Sequence, residues 1–129
     1  MRAYFSNIIK PKAPIVTATL YNPLLSKKAT VDFMVDTGFA GGVLISLDIY
    51  TELDLHLFET VKKMGRVVTG MTFELRASRA ILEFNGVKIP CMAYTSLGVS
   101  RNLLGREVLE KLKMTYIPKQ NVLNLDFDP

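Results

Sequence analysis

Apolar and polar residues alternate along most of this chain, and the dominant period is two. In Ile15-Val16-Thr17-Ala18-Thr19-Leu20 the β-branched content predicts a strand. A second strand is predicted over Thr30–Val35, where Val31, Phe33 and Val35 share one face and Asp32, Met34 and Asp36 the other. Asn22-Pro23 opens a loop that runs to Lys27-Lys28, so these two strands are expected to pair as a hairpin. Gly38, Gly41 and Gly42 then interrupt the pattern before a short buried strand, Val43-Leu44-Ile45. Ser46 is placed to cap a helical turn over Leu47–Leu53, with Asp48 favourable near its start. Leu55–Lys63 has no clear period.

Arg66–Arg76 reads as two strands around a turn at Thr69-Gly70-Met71-Thr72, followed by a further strand over Ala80–Phe84. Asn85-Gly86 is the strongest two-residue hairpin signal in the chain, and Val87–Tyr94 is the returning strand. Pro90 within it predicts an edge position or a bulge. Helical spacing appears once more, at Val108, Leu109 and Leu112 within Arg106–Lys113, where Glu107 and Lys111 stand four apart and can pair. Met114–Ile117 and Val122–Phe127 flank Pro118-Lys119-Gln120-Asn121 as a last hairpin. There is no repeat, linker or low-complexity tract. The expectation is one domain, 1–129, mostly β with one or two short helices.

Composition narrows the chemistry. With 129 residues, 49% apolar and 22% charged, the chain has the balance of a folded globular domain. Cys91 is the single cysteine and His56 the single histidine, which excludes a disulfide framework, a cysteine zinc cluster and any multi-histidine metal site within one chain. No metal or cofactor is called for. The N-terminal segment lacks a signal-peptide pattern, and no stretch reaches the roughly 18–20 apolar residues of a bilayer span, so a soluble cytoplasmic protein without membrane contact is expected. The net charge of +4 is spread along the chain. Six acids and no Lys or Arg lie between Asp32 and Glu59, and the stretch Lys62–Arg101 is mainly basic. Two compensating surfaces explain this more simply than a nucleic-acid site, and no aromatic pattern of an RNA-binding sheet is present.

The sharpest chemical feature is Val35-Asp36-Thr37-Gly38, a carboxylate at the end of an apolar strand followed by a hydroxyl and a glycine. Alone, it reads better as a strand ending in an Asx-type turn. A second segment, Asn102-Leu103-Leu104-Gly105-Arg106, sets two aliphatics and a glycine directly before a helix. Between the two lies the hairpin around Gly70. In this order the segments resemble the retropepsin-like (retroviral-type) aspartic proteases over roughly residues 13 to 127.

The resemblance implies a single-lobe acid-protease barrel with Asp36, Thr37 and Gly38 as the catalytic triplet. Thr37 would join a hydrogen-bonded lattice between two active-site loops. Phe39 and Ala40, the Thr69-Gly70-Met71 flap tip, and Leu103 and Leu104 would lie along a bound peptide. Phe39 stands where a small residue is common in the family, and Ala40-Gly41 lacks the acid that pairs with the late arginine in viral members, leaving Arg106 in need of another partner. The pattern is closer to cellular, prokaryotic members. One Asp-Thr-Gly is half of a two-carboxylate site, and Asp32, four residues up the same strand, stands about 13 Å away. A homodimer is therefore implied, acting on a peptide or protein substrate. A non-proteolytic dimerising or peptide-binding module of the same fold is the other reading. His56 and Cys91 are assigned no role.

Overall fold

A computed structural model of the protein describes residues 2–59, 63–66 and 72–127. Among the described residues, ten strands and two short α-helices follow one another in the order β1 (Arg2–Ser6), β2 (Ala13–Tyr21), β3 (Lys28–Val35), β4 (Val43–Leu44), α1 (Leu47–Glu52), β5 (Lys63–Arg66), β6 (Thr72–Phe84), β7 (Val87–Thr95), β8 (Leu103–Leu104), α2 (Arg106–Leu109), β9 (Lys113–Ile117) and β10 (Val122–Asp126). The mostly-β fold class is thus as expected.

The main sheet runs β1-β2-β3-β8-β4-β7-β6-β5, and β2 pairs again with β6. That second pairing, centred on Leu20 opposite Leu82, closes six strands into a barrel and leaves β1 and β5 as outer strands. The barrel is filled by the faces predicted to be apolar. Val31, Phe33 and Val35 are buried on β3, while Asp32 and Met34 point away. Phe33, Leu20, Leu82, Val43, Ile45 and Leu104 are among the wholly buried side chains. Most of the barrel's stabilisation comes from such burial, at about 1.5–3 kcal/mol per large aliphatic or aromatic side chain.

The β2–β3 hairpin forms in the expected place, with Ile15 opposite Met34 and Tyr21 opposite Lys28. Asn85-Gly86 turns β6 into β7, both residues adopting positive φ (46° and 81°) as that turn requires. Pro90 lies opposite Ile81 of β6, and β4 meets β7 only at Ala93 and Tyr94, so the proline occupies a stretch with one neighbour. The C-terminal hairpin forms as β9 and β10. It packs against the rest through Phe5–Tyr116 and Phe84–Phe127 edge contacts.

Three expectations shift. The strands predicted to end at Arg76 and start at Ala80 are one 13-residue strand, β6. Ala77 and Ser78 are buried in succession, which breaks the alternation, yet the strand continues because it exchanges β5 for β7 as its partner. The helix predicted over Arg106–Lys113 stops at Leu109, since Lys113 is claimed by β9 opposite Asp126. Ser46 does cap α1, accepting from the Ile49 N–H at 3.4 Å, but the helix ends at Glu52. Among the described residues no helix is long and apolar enough to cross a membrane.

Candidate active site

β3 carries Asp36 to the mouth of the barrel. The short strand β8 runs parallel beside it, with Val35 opposite Leu104. The Met34 N–H donates to Asn102 O at 2.8 Å and the Asp36 N–H to Leu104 O at 2.9 Å, so the position of Asp36 is fixed by its backbone. The chain then turns sharply. The Phe39 N–H donates to Asp36 O at 3.2 Å and the Gly38 N–H to the Asp36 carboxylate at 2.9 Å. The Asx turn that the triplet suggested is therefore present, and it is also what orients the carboxylate. A Cβ on Gly38 would stand 3.1 Å from Asp36 Oδ1, which makes a glycine the comfortable residue there.

The loop that follows is held from behind by α2. The Arg106 N–H donates to Phe39 O at 2.8 Å, and its guanidinium to Thr37 O at 2.9 Å. The Gly105 N–H reaches Gly42 O at 2.8 Å. A Cβ at Gly105 would collide with Gly41 O and lie 2.7 Å from Phe39 O, so only glycine permits this approach. The late arginine thus finds its partner in a backbone carbonyl. Glu107 does not pair with Lys111 as its spacing allowed. Its carboxylate turns inward to accept from the Met92 N–H at 2.8 Å, and Lys111 reaches Pro90 O at 3.4 Å.

Asp36 is half-buried and opens onto an apolar cleft of about 680 Å³ that includes Met34, Phe39, Leu44, Leu97 and Leu103. Phe39 is held at the side of the cleft by an edge-on contact with Tyr94, centroids 6.0 Å apart. Leu103 lines the cleft, whereas Leu104 is 0% exposed and has no surface to offer a peptide; it serves as a core residue beneath Asp36. Ala40 is exposed next to the loop. Thr37 is exposed and borders a different cavity, with Pro14, Met114 and Tyr116. Thr69, Gly70 and Met71 lie outside the described residues, although β5 and β6 form the hairpin that leads to them. Asp32 lines a separate cavity and accepts from the Thr17 hydroxyl at 2.6 Å.

The loop 96–101 forms much of the cleft wall and went unnoticed in the sequence. Its small polar residues and Gly98, at a φ of 85°, mark a loop but say nothing of where it goes. A second unforeseen feature is an anchor between α1 and β6. Arg76 makes a two-pronged ion pair with Glu59 (2.9 Å for each bond), and the buried Tyr50 hydroxyl donates to the same carboxylate at 3.0 Å. Burial, and then the bond to Glu59, raise the Tyr50 hydroxyl well above the ordinary tyrosine range.

Cys91 is buried, and burial followed by the nearby Glu107 pushes its thiol up to about 12, with Lys111 opposing. Such a thiol is a poor nucleophile at neutral pH. Among the described residues no group of three or more His, Cys, Asp or Glu is placed to hold a metal.

No protein-family model and no curated protein sequence matches the chain. Solved structures do. One is a retropepsin-like aspartic protease from Rickettsia conorii, with a TM-score of 0.67 at 17% identity, covering 92% of this chain and 86% of the other. Another is EIAV protease complexed with the inhibitor HBY-793, with a TM-score of 0.56 at 18% identity, covering 81% and 90%. With Asp36-Thr37-Gly38 at the end of β3, and Leu103-Leu104-Gly105 packed behind it, this chain has the retropepsin-like fold.

Proposed function

We propose that the protein is an aspartic endopeptidase that works as a homodimer, with one Asp36 from each protomer. The observation that carries this reading is the placement of Asp36. It is a half-exposed carboxylate on a backbone fixed by β8, oriented by the Gly38 N–H, and opening onto an apolar cleft. Hydrolysis without a metal or a covalent intermediate needs one group that takes a proton from water and another that gives one to the substrate. Two carboxylates that share a proton do both. The ionised member removes a proton from a water bound between them while the water oxygen attacks the peptide carbonyl carbon. The protonated member gives its proton to the carbonyl oxygen. Collapse of the tetrahedral intermediate then breaks the C–N bond: the carboxyl that took the water proton gives it to the leaving nitrogen, and the other carboxylate takes a proton from a hydroxyl of the intermediate as C=O re-forms, which restores the one-proton pair.

The second carboxylate comes from another copy, because Asp32 faces its own cavity and is bonded to Thr17. Symmetric pairing about a two-fold axis brings identical residues together. The exposed Thr37, with Tyr116 beside it (49% exposed), supports a contact surface next to the catalytic loop. Phe39 and Leu103 contact the peptide from the cleft wall. Asp36→Asn tests the reading. The variant is expected to lose peptidase activity on a diverse peptide library while it still sediments as a dimer. Undiminished cleavage would overturn the mechanism. Retained peptide binding by a wild-type protein that cleaves nothing from acid to neutral pH would favour the non-proteolytic module instead.

A further inference from the structure

The cleft wall carries a charge that the chemistry of Asp36 does not use. Arg101 is exposed at the end of the loop 96–101 and lines the Asp36 cleft. It also lines the neighbouring cavity of about 330 Å³ that contains Ile8, Ile15 and Asp32. Met34 and Ser100 are shared by the two cavities in the same way. An extended peptide that leaves Asp36 toward the second cavity therefore passes Arg101.

The backbone next to Arg101 is held in place, but the guanidinium itself is exposed and not satisfied. The next residue, Asn102, is pinned twice. Its carbonyl accepts from the Met34 N–H at 2.8 Å and its side chain from the Ser46 N–H at 3.1 Å. The Arg101 side chain itself makes one weak contact, to the Met34 sulphur at 3.6 Å. Among the described residues no carboxylate is ion-paired with it, and the neighbouring Asp32 carboxylate already accepts from Thr17. Apart from Asp36, Ser96 and Ser100, the rest of the cleft is mostly apolar. A planar cation with several unused donors, at the rim of a mostly apolar cleft, suits a carboxylate better than any other peptide group.

We propose that Arg101 is a specificity-determining residue that selects peptides with an acidic side chain at the position that crosses from the Asp36 cleft into the neighbouring cavity. This rests on the reading of the cleft as a peptide site, but its test does not depend on catalysis. The probe is a short apolar peptide with Phe-Leu at its centre, in which one Glu, or its uncharged isostere Gln, is scanned through every other position. Binding is measured by fluorescence anisotropy to the Asp36→Asn protein, which leaves the probe intact. The Glu peptide is expected to bind about fivefold tighter than the Gln peptide at one or two adjacent positions. Adding Arg101→Gln should bring that ratio to about one, and Arg101→Lys should retain part of it. A ratio unchanged in Arg101→Gln, a preference spread evenly over all positions, or no binding of either peptide would overturn the proposal. Cleavage by the wild type is read separately. A positional preference for Glu without cleavage would sustain the selectivity and reject the peptidase.

Discussion

Two loops line one cleft and are built in opposite ways. The loop after Asp36 is bonded to its surroundings at nearly every residue: to β8 through Asp36, and to the start of α2 through Thr37, Phe39, Gly41 and Gly42. Gly105 and Gly42 have no room even for a Cβ. The loop 96–101 has bonds mainly within itself, such as Val99 N–H to Ser96 O at 3.5 Å, and its Leu97 is 87% exposed. A reacting carboxylate must be held within a fraction of an ångström, and the first loop is built for that. Peptide side chains differ in size, and a wall with little packing of its own adapts to them at small cost.

If that contrast is right, substitutions in the first loop should change stability and turnover, and those in the second should change selectivity. The largest effect is expected from Gly105→Ala. Its Cβ meets main-chain atoms of Gly41 and Phe39, so thermal unfolding should show a loss of about 3 kcal/mol or more. Arg106→Ala removes the bond to Thr37 O, and this exposed contact should be worth about 1 kcal/mol in urea unfolding. Its kinetic signature should be a lower kcat with KM little changed, since the lost contact positions the loop and does not touch peptide.

A third test uses Cys91, which lies against Gly42 behind the first loop. Folding raises this thiol from its ordinary value of about 9 to about 12 and so favours the protonated form. The stabilisation is complete below about pH 9 and declines as pH rises toward 12. Unfolding measured across that range should show the loss, and Cys91→Ala should lack this part of it. At neutral pH the native thiol should resist iodoacetamide and react only after unfolding. The smallest effect belongs to the second loop. Leu97→Ala should change stability by less than about 0.5 kcal/mol while shifting KM among apolar peptides. A large stability loss there would erase the contrast.

What could be read from the residues follows the same division. The alternation in β2 and β3, the Asn85-Gly86 turn and the Ser46 cap are local signals, and each appears in the structure. Asp36-Thr37-Gly38 and Leu103-Leu104-Gly105-Arg106 were legible through their joint resemblance to the retropepsin-like pattern, and the structure adds the reason for the glycines, which is close approach at Gly38 and Gly105. The rest depended on contacts between distant segments. The Arg106 guanidinium pairs with a main-chain carbonyl, and any residue type can supply one of those. Glu107 left its i,i+4 partner for a backbone N–H of β7. Ala77 and Ser78 looked like a break in a strand because a change of sheet partner has no period. The loop 96–101 and the Tyr50–Glu59–Arg76 anchor bear no motif at all. Only the folded barrel brings them to the cleft and to β6.

The central claim is that one site is shared by two chains, and subunit mixing tests it most directly. Wild-type protein is unfolded and refolded together with an equal amount of Asp36→Asn at constant total concentration, and peptidase activity is compared with that of wild type alone. If each site needs Asp36 from both protomers, only dimers of two wild-type chains cleave, and activity falls to about a quarter. Activity of about half would mean that each chain works with its own carboxylate alone, and would contradict the account.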